Sequence, residues 1–158
     1  SKQRLRINSE KLLDSSVDIG FRVLKIDSSN MTDVFYRPDQ VNQTDMFAQV
    51  ENIKDGREDE DLLFQVLLDW GVGLTLPISK QKIATKKVFY VNADEDGEGA
   101  DLIACFGTDI SNELIKELAE KQPLRVVFRD DGFANDSVKI NVEQIFKQIS
   151  PMTDVKSI

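Results

Sequence analysis

LRVVFRDDGFANDSVKINVEQIFKQI, residues 124–149, is the stretch on which the fold turns. Leu124, Val126, Val127 and Phe128 form a short apolar run, rich in β-branched and aromatic residues, that suits a strand covered on both faces. The run stops at Arg129-Asp130-Asp131-Gly132, where glycine supplies the backbone freedom of a sharp turn. Asn135, Asp136 and Ser137 offer acceptors to the free N–H groups of a helix start. Val138, Val142, Ile145, Phe146 and Ile149 then recur at helical spacing and make one apolar stripe. Pro151 ends the helix. Strand, turn and helix make half of a βαβ unit.

The segments on either side supply the rest. ADLIACFG (100–107) reads as a second apolar strand, and ISNELIKELAEKQ (110–122) as a helix. Ser111 is its N-cap, Ile110 and Ile115 are placed as a hydrophobic staple, and Pro123 blocks continuation. DVKSI (154–158) is a short last strand. The order from residue 100 is β-α-β-α-β, and such crossovers run parallel and right-handed. The fold class is therefore α/β: a small, mostly parallel sheet with helices packed on it.

Earlier residues add an antiparallel strand and an extension. Glu58-Asp59-Glu60-Asp61 complements the dipole of a helix over LLFQVLLDWG, with Leu63, Val66, Leu67 and Trp70 inward and Gly71 as its stop. Leu74–Ile78 reads as an extended connector and Ile83–Val91 as a single strand. The polar loop NADEDGEGA (92–100) joins that strand antiparallel to Leu102–Phe106. Residues 58–158 then form the main domain. Residues 31–57 read as a linker with a short helix over Asp45–Ile53. Residues 1–30 read as a helix over 2–13, followed by a strand from Gly20 carrying Phe21, Val23, Leu24 and Ile26. Phe128, Leu67 and Ile145 are expected in the core.

Composition narrows the function classes. Lys and Arg total 20 against 28 Asp and Glu, a net charge of −8, so a free-standing nucleic-acid binder is disfavoured. The chain has no histidine and one cysteine, Cys105. That removes the commonest general base, a disulfide framework and a cysteine-based metal site. Cys105 lies in an apolar strand and reads as a core thiol. No signal pattern and no long apolar run is present, which points to a soluble intracellular protein with no membrane partner. The first residue is Ser1, as expected of a piece of a longer chain.

Four constellations invite a sharper reading. Gly71-Val72-Gly73 follows a helix rather than a strand, and Leu76 stands where a dinucleotide fingerprint has its third glycine, so it reads as a helix stop. Asp130 and Asp131 sit at a strand's C-terminal end, where ligands bind in open α/β sheets. They are candidates for a metal or small ligand. Against this, Arg129 offers an ion-pair partner and the acids offer helix caps. Asp94, Glu95, Asp96, Glu98 and Asp101 lack the ligand spacing of a calcium loop and read as a solvated hairpin tip. Lys80, Lys82, Lys86 and Lys87 make a basic run that suits either a protective edge strand or a DNA-backbone contact.

GFRVLKIDSSNM (20–31), EDLLFQVLLDWGVGLTLPI (60–78), residues 124–151 and the terminal DVKSI together resemble the C-terminal part of the modification (Mod) subunit of type III restriction–modification systems. The likeness runs in order through nearly the whole chain and is weakest at 92–100. It implies a parent protein that is a cytoplasmic, prokaryotic, S-adenosylmethionine-dependent DNA adenine-N6 methyltransferase. The parent would act as a Mod dimer that binds DNA and recruits a restriction (Res) subunit. The family's Asp-Pro-Pro-Tyr tetrapeptide and its glycine-rich cofactor loop are both absent from these residues. No catalytic, cofactor or metal residue is therefore carried over, and the resemblance assigns the fragment to dimerisation and assembly. Candidate interaction residues are Phe21, Val23 and Phe35 on the apolar N-terminal border, where a homodimer is expected. Arg129, Asp130 and Phe133 in the central turn are also candidates.

Overall fold

The computed structural model describes residues 21–32 and 52–158. Nine elements follow in the order α1 (Asp59–Asp69), β1 (Ile78–Ile83), β2 (Lys86–Val91), β3 (Leu102–Cys105), α2 (Asn112–Glu120), β4 (Arg125–Phe128), a 3-10 turn (Asp130–Gly132), α3 (Asp136–Ile149) and β5 (Asp154–Ser157). The five strands lie side by side in chain order. β1–β2 and β2–β3 are antiparallel, whereas β3–β4 and β4–β5 are parallel. The α/β class holds, and the sheet is evenly mixed rather than mostly parallel.

The difference lies at residues 78–91. They form a hairpin where the sequence suggests a connector followed by one strand. Ala84 and Thr85 take positive φ values of 45° and 72°, the two-residue turn whose twist matches a hairpin. Ile83 pairs with Lys86 directly across it. β1 carries Ser79, Lys80, Gln81 and Lys82 in its middle, so no apolar alternation marks it.

Alternating side chains divide the sheet between two layers. Val88, Tyr90, Ile103, Cys105, Val126 and Phe128 face one way and pack under α2 and α3. Phe89, Val91, Leu102, Ala104 and Val127 face the other way and pack under α1 through Leu62, Leu63, Val66 and Leu67. Both crossovers step in one direction along the sheet, so right-handedness places α2 and α3 on the same face. Ser111 caps α2 through the Leu114 N–H, and Asn135 caps α3 through the Val138 N–H at 3.1 Å. Phe128 and Leu67 are buried as expected, but Ile145 is only half-buried at the margin of the core and Leu124 is exposed. The sheet begins one residue after Leu124. Cys105 is fully buried, and burial raises its thiol pKa.

Phe21–Ile26 is not a strand. Residues 21–29 are exposed and without regular structure, and polar anchors rather than ladder bonds hold the segment. The Arg22 guanidinium donates to the carbonyls of Leu74 and Leu76 at 2.6 and 2.8 Å. Arg57 reaches Asp27 at 2.9 Å. The buried Asn30 donates its backbone N–H to the Gln65 side-chain oxygen and its side-chain amide to the Asp61 carbonyl, at 2.9 and 2.8 Å. Met31 bridges Ile53, so the end of the expected Asp45–Ile53 helix is extended. Helix 2–13, Phe35 and residues 45–51 lie outside the described residues.

Candidate functional site

Ligands in open α/β sheets bind outside the carboxyl ends of the parallel strands, which here are the ends of β3, β4 and β5. That end is closed. Gly132 follows β4 and lies against the loop after β3: a β-carbon at Gly132 would fall 2.6 Å from the Gly107 carbonyl oxygen. The Gly132 φ is not positive, so glycine is required here for space rather than for a turn conformation. The Ile110 N–H donates to the Gly132 carbonyl at 2.9 Å, and the Ala134 N–H donates to the Ile110 carbonyl at 3.0 Å. These bonds zip the two loops together where a crevice would open.

The acidic pair beside this closure is engaged. Arg129 holds the Asp131 carboxylate in a two-pronged ion pair, with Nη2 at 2.7 Å from Oδ2. Asp130 accepts from Lys139 on α3 at 2.8 Å and from the Ser157 hydroxyl on β5 at 2.9 Å. Lys139, with Ser157 assisting, holds the Asp130 carboxyl below the usual carboxylate range. The two carboxylates thus work separately: Asp131 steadies the turn, and Asp130 ties β4 to α3 and β5. Among the described residues no three acidic or cysteine side chains gather as a metal cluster would require.

Three of the four lysines in the basic run lie beside acids. Lys80 pairs with Glu60, Lys87 with Asp59 at 2.9 Å, and Lys86 approaches Asp109 at 3.9 Å. Lys80 keeps the Glu60 carboxyl below its ordinary pKa, and Asp59 raises that of Lys87. The acidic N-terminus of α1 therefore faces the lysines of β1 and β2 across the sheet edge. The ammonium groups of Lys80 and Lys87 also lie 5.5 and 5.6 Å from the Phe89 ring centre. Lys82 makes no ion pair among the described residues.

Among the described residues, two grooves lie open between α3 and the edge strand β5. One, of about 420 Å³, is lined by Phe128, Phe133, Ile140, Val142 and Val155 together with Lys139, Glu143, Lys156 and Ser157. The other, of about 230 Å³, runs from Glu143 and Phe146 to Pro151 and Asp154. They meet at Val155 and Glu143. Ile140 and Met152, 70 % and 87 % exposed, are large apolar side chains on this side of the molecule. Of the sequence candidates, Phe133 lines the groove, while Arg129 and Asp130 brace the turn behind it. Phe21 and Val23, 42 % and 50 % exposed, belong to the N-terminal strap and line neither groove. Sequence reasoning passed over Val155 and Ile140. Ile140 does depart from the buried stripe of α3, which is the signal that could have found it.

No family model matches this chain, and comparison with curated proteins and with solved structures likewise returns no match.

Proposed function

We propose that this chain is the C-terminal α/β domain of a type III modification subunit and that it serves assembly with a second Mod copy and with Res rather than chemistry. The parent protein is, on this reading, a cytoplasmic prokaryotic DNA adenine-N6 methyltransferase that carries its S-adenosylmethionine site and adenine pocket elsewhere. The observation that carries the assembly role is the closure of the strand ends by Gly132 against Gly107. With that crevice filled, and with Asp130, Asp131, Lys80 and Lys87 ion-paired, an accessible feature among the described residues is a groove along a sheet edge whose apolar side chains are rimmed by polar ones. Such a surface suits a protein partner. Among the described residues no helix is long and apolar enough to cross a membrane.

Calorimetry and pull-down test this reading together. The isolated chain is expected to bind no S-adenosylmethionine and to retain a Res subunit or a full-length Mod subunit. Micromolar cofactor binding would refute it, as would failure to retain either subunit. A magnesium-dependent rise in melting temperature would favour a ligand site at Asp130 and Asp131 instead. DNA binding that falls steeply with salt would favour a backbone contact through Lys80, Lys82, Lys86 and Lys87.

A further inference from the structure

The two edges of the sheet differ in what they offer a neighbour. On β5, Asp154 donates its N–H to the Leu124 carbonyl, Ile158 donates to the Phe128 carbonyl, and the Asp130 N–H donates to the Ile158 carbonyl, at 3.0, 3.0 and 2.7 Å. Even-numbered residues therefore bond inward to β4. The backbone groups of Val155 and Ser157 alternate with them and point outward. Among the described residues β5 is an outermost strand.

We propose that two copies of this chain pair antiparallel through β5, with Val155 opposite Val155 of the second copy. A two-fold axis perpendicular to the sheet keeps each side chain on its own face, so a residue must sit on the axis. With Lys156 on the axis, lysine meets lysine; with Asp154 there, aspartate meets aspartate. Like charges directly opposite are unfavourable. Only Val155 on the axis sets Asp154 against Lys156 of the other copy, twice over. That same register makes the outward Val155 groups a hydrogen-bonded pair, as the β4 ladder requires.

The opposite face agrees. Val155 points into the groove lined by Phe128, Phe133, Ile140 and Val142, and the second copy's Val155 would enter it alongside. Edge β1 has no such register. A two-fold pairing that includes Lys80 or Lys82 in its ladder sets a lysine opposite a lysine or leaves it unmatched, which guards that edge. The inference stands on the edge geometry alone and does not depend on the family resemblance.

Sedimentation velocity with a charge-swap cycle is the test. The parent chain is expected to shift from monomer to dimer as its concentration rises through the micromolar range, consistent with a short ladder. Lys156→Asp and Asp154→Lys each place like charges opposite and should weaken the dimer about tenfold or more. The double swap restores opposite charges and should recover most of the loss, even though Lys156→Asp also removes the ammonium 4.7 Å from the Trp70 ring centre. Phe21→Asp should leave the dimer unchanged. Amide exchange at Val155 and Ser157 should slow as concentration rises. A monomer at several hundred micromolar would overturn the proposal, as would a double swap no better than either single change. Protection of Val155 that ignores concentration would overturn it too, because a segment of the same chain would then fill the edge.

Discussion

Replacing Gly132 by alanine probes the closure that shuts the strand ends. The added β-carbon falls 2.6 Å from the Gly107 carbonyl oxygen and 3.2 Å from Cδ1 of Ile110. The first obstacle is backbone, held by the bonds between Ile110, Gly132 and Ala134, so the two loops must part. Overpacking of this kind costs about 1–3 kcal/mol. Alanine also stiffens the unfolded chain, which offsets about 0.4–1 kcal/mol. The net expectation is a loss of about 1–2 kcal/mol, or about 3–6 °C in melting temperature for a chain of this size. Gly107→Ala is the matched control. Its β-carbon would meet the Lys86 side chain at 3.5 Å, an ordinary contact, so it keeps the unfolded-state gain without the clash and should melt with the parent or about 1–3 °C above it. Urea and thermal unfolding followed by circular dichroism read both variants. Equal stability of Gly132→Ala and the parent would show that the loops are not closed as described, and the case for a filled crevice would go with it.

Two further outcomes follow from the geometry. Asp130 has a folded-state pKa below its unfolded value, so its stabilisation is present above the ordinary carboxylate pKa of about 3.9 and is lost as pH falls through the depressed value. Asp130→Asn should therefore lower the urea midpoint at pH 7 and converge with the parent in acid; a gap that stays constant with pH would refute the pairing with Lys139. At the hairpin, Ala84→Asn with Thr85→Gly places favoured residues at both positive-φ positions and should stabilise by about 1–2 kcal/mol, whereas an unchanged urea midpoint would argue against that turn.

The second half of the fold was legible because local and global signals coincide there. Val126, Val127 and Phe128 are apolar on both faces because helices cover both faces, and Ser111 and Asn135 mark helix starts by their own side-chain bonds. The hairpin was not legible. Its turn uses Ala84 and Thr85 instead of Asn-Gly, and the outer position of β1 lets polar residues fill it. Phe21 to Ile26 misled in the opposite sense: apolar residues in near alternation suggest a strand, but Arg22 and Asn30 fix the segment by contacts with residues far along the chain. At the site, the ion pair of Arg129 with Asp131 could be read from adjacency. The pairing of Asp130 with Lys139 and Ser157, and of Asp59 and Glu60 with Lys87 and Lys80, depends on how distant elements meet. No local pattern announces such pairs.

The place of α1 has a consequence for how the protein is made. Its buried stripe rests on Phe89, Leu102, Ala104 and Val127, which come from three strands that all follow it in the chain. During synthesis the helix emerges ahead of the surface it is meant to cover. Until Val127 has been added, Leu62, Leu63, Val66 and Leu67 have no complete native floor to lie on. The first described helix to leave the ribosome therefore waits for three later strands before its seat is complete, and its apolar side is without native cover on the nascent chain until then.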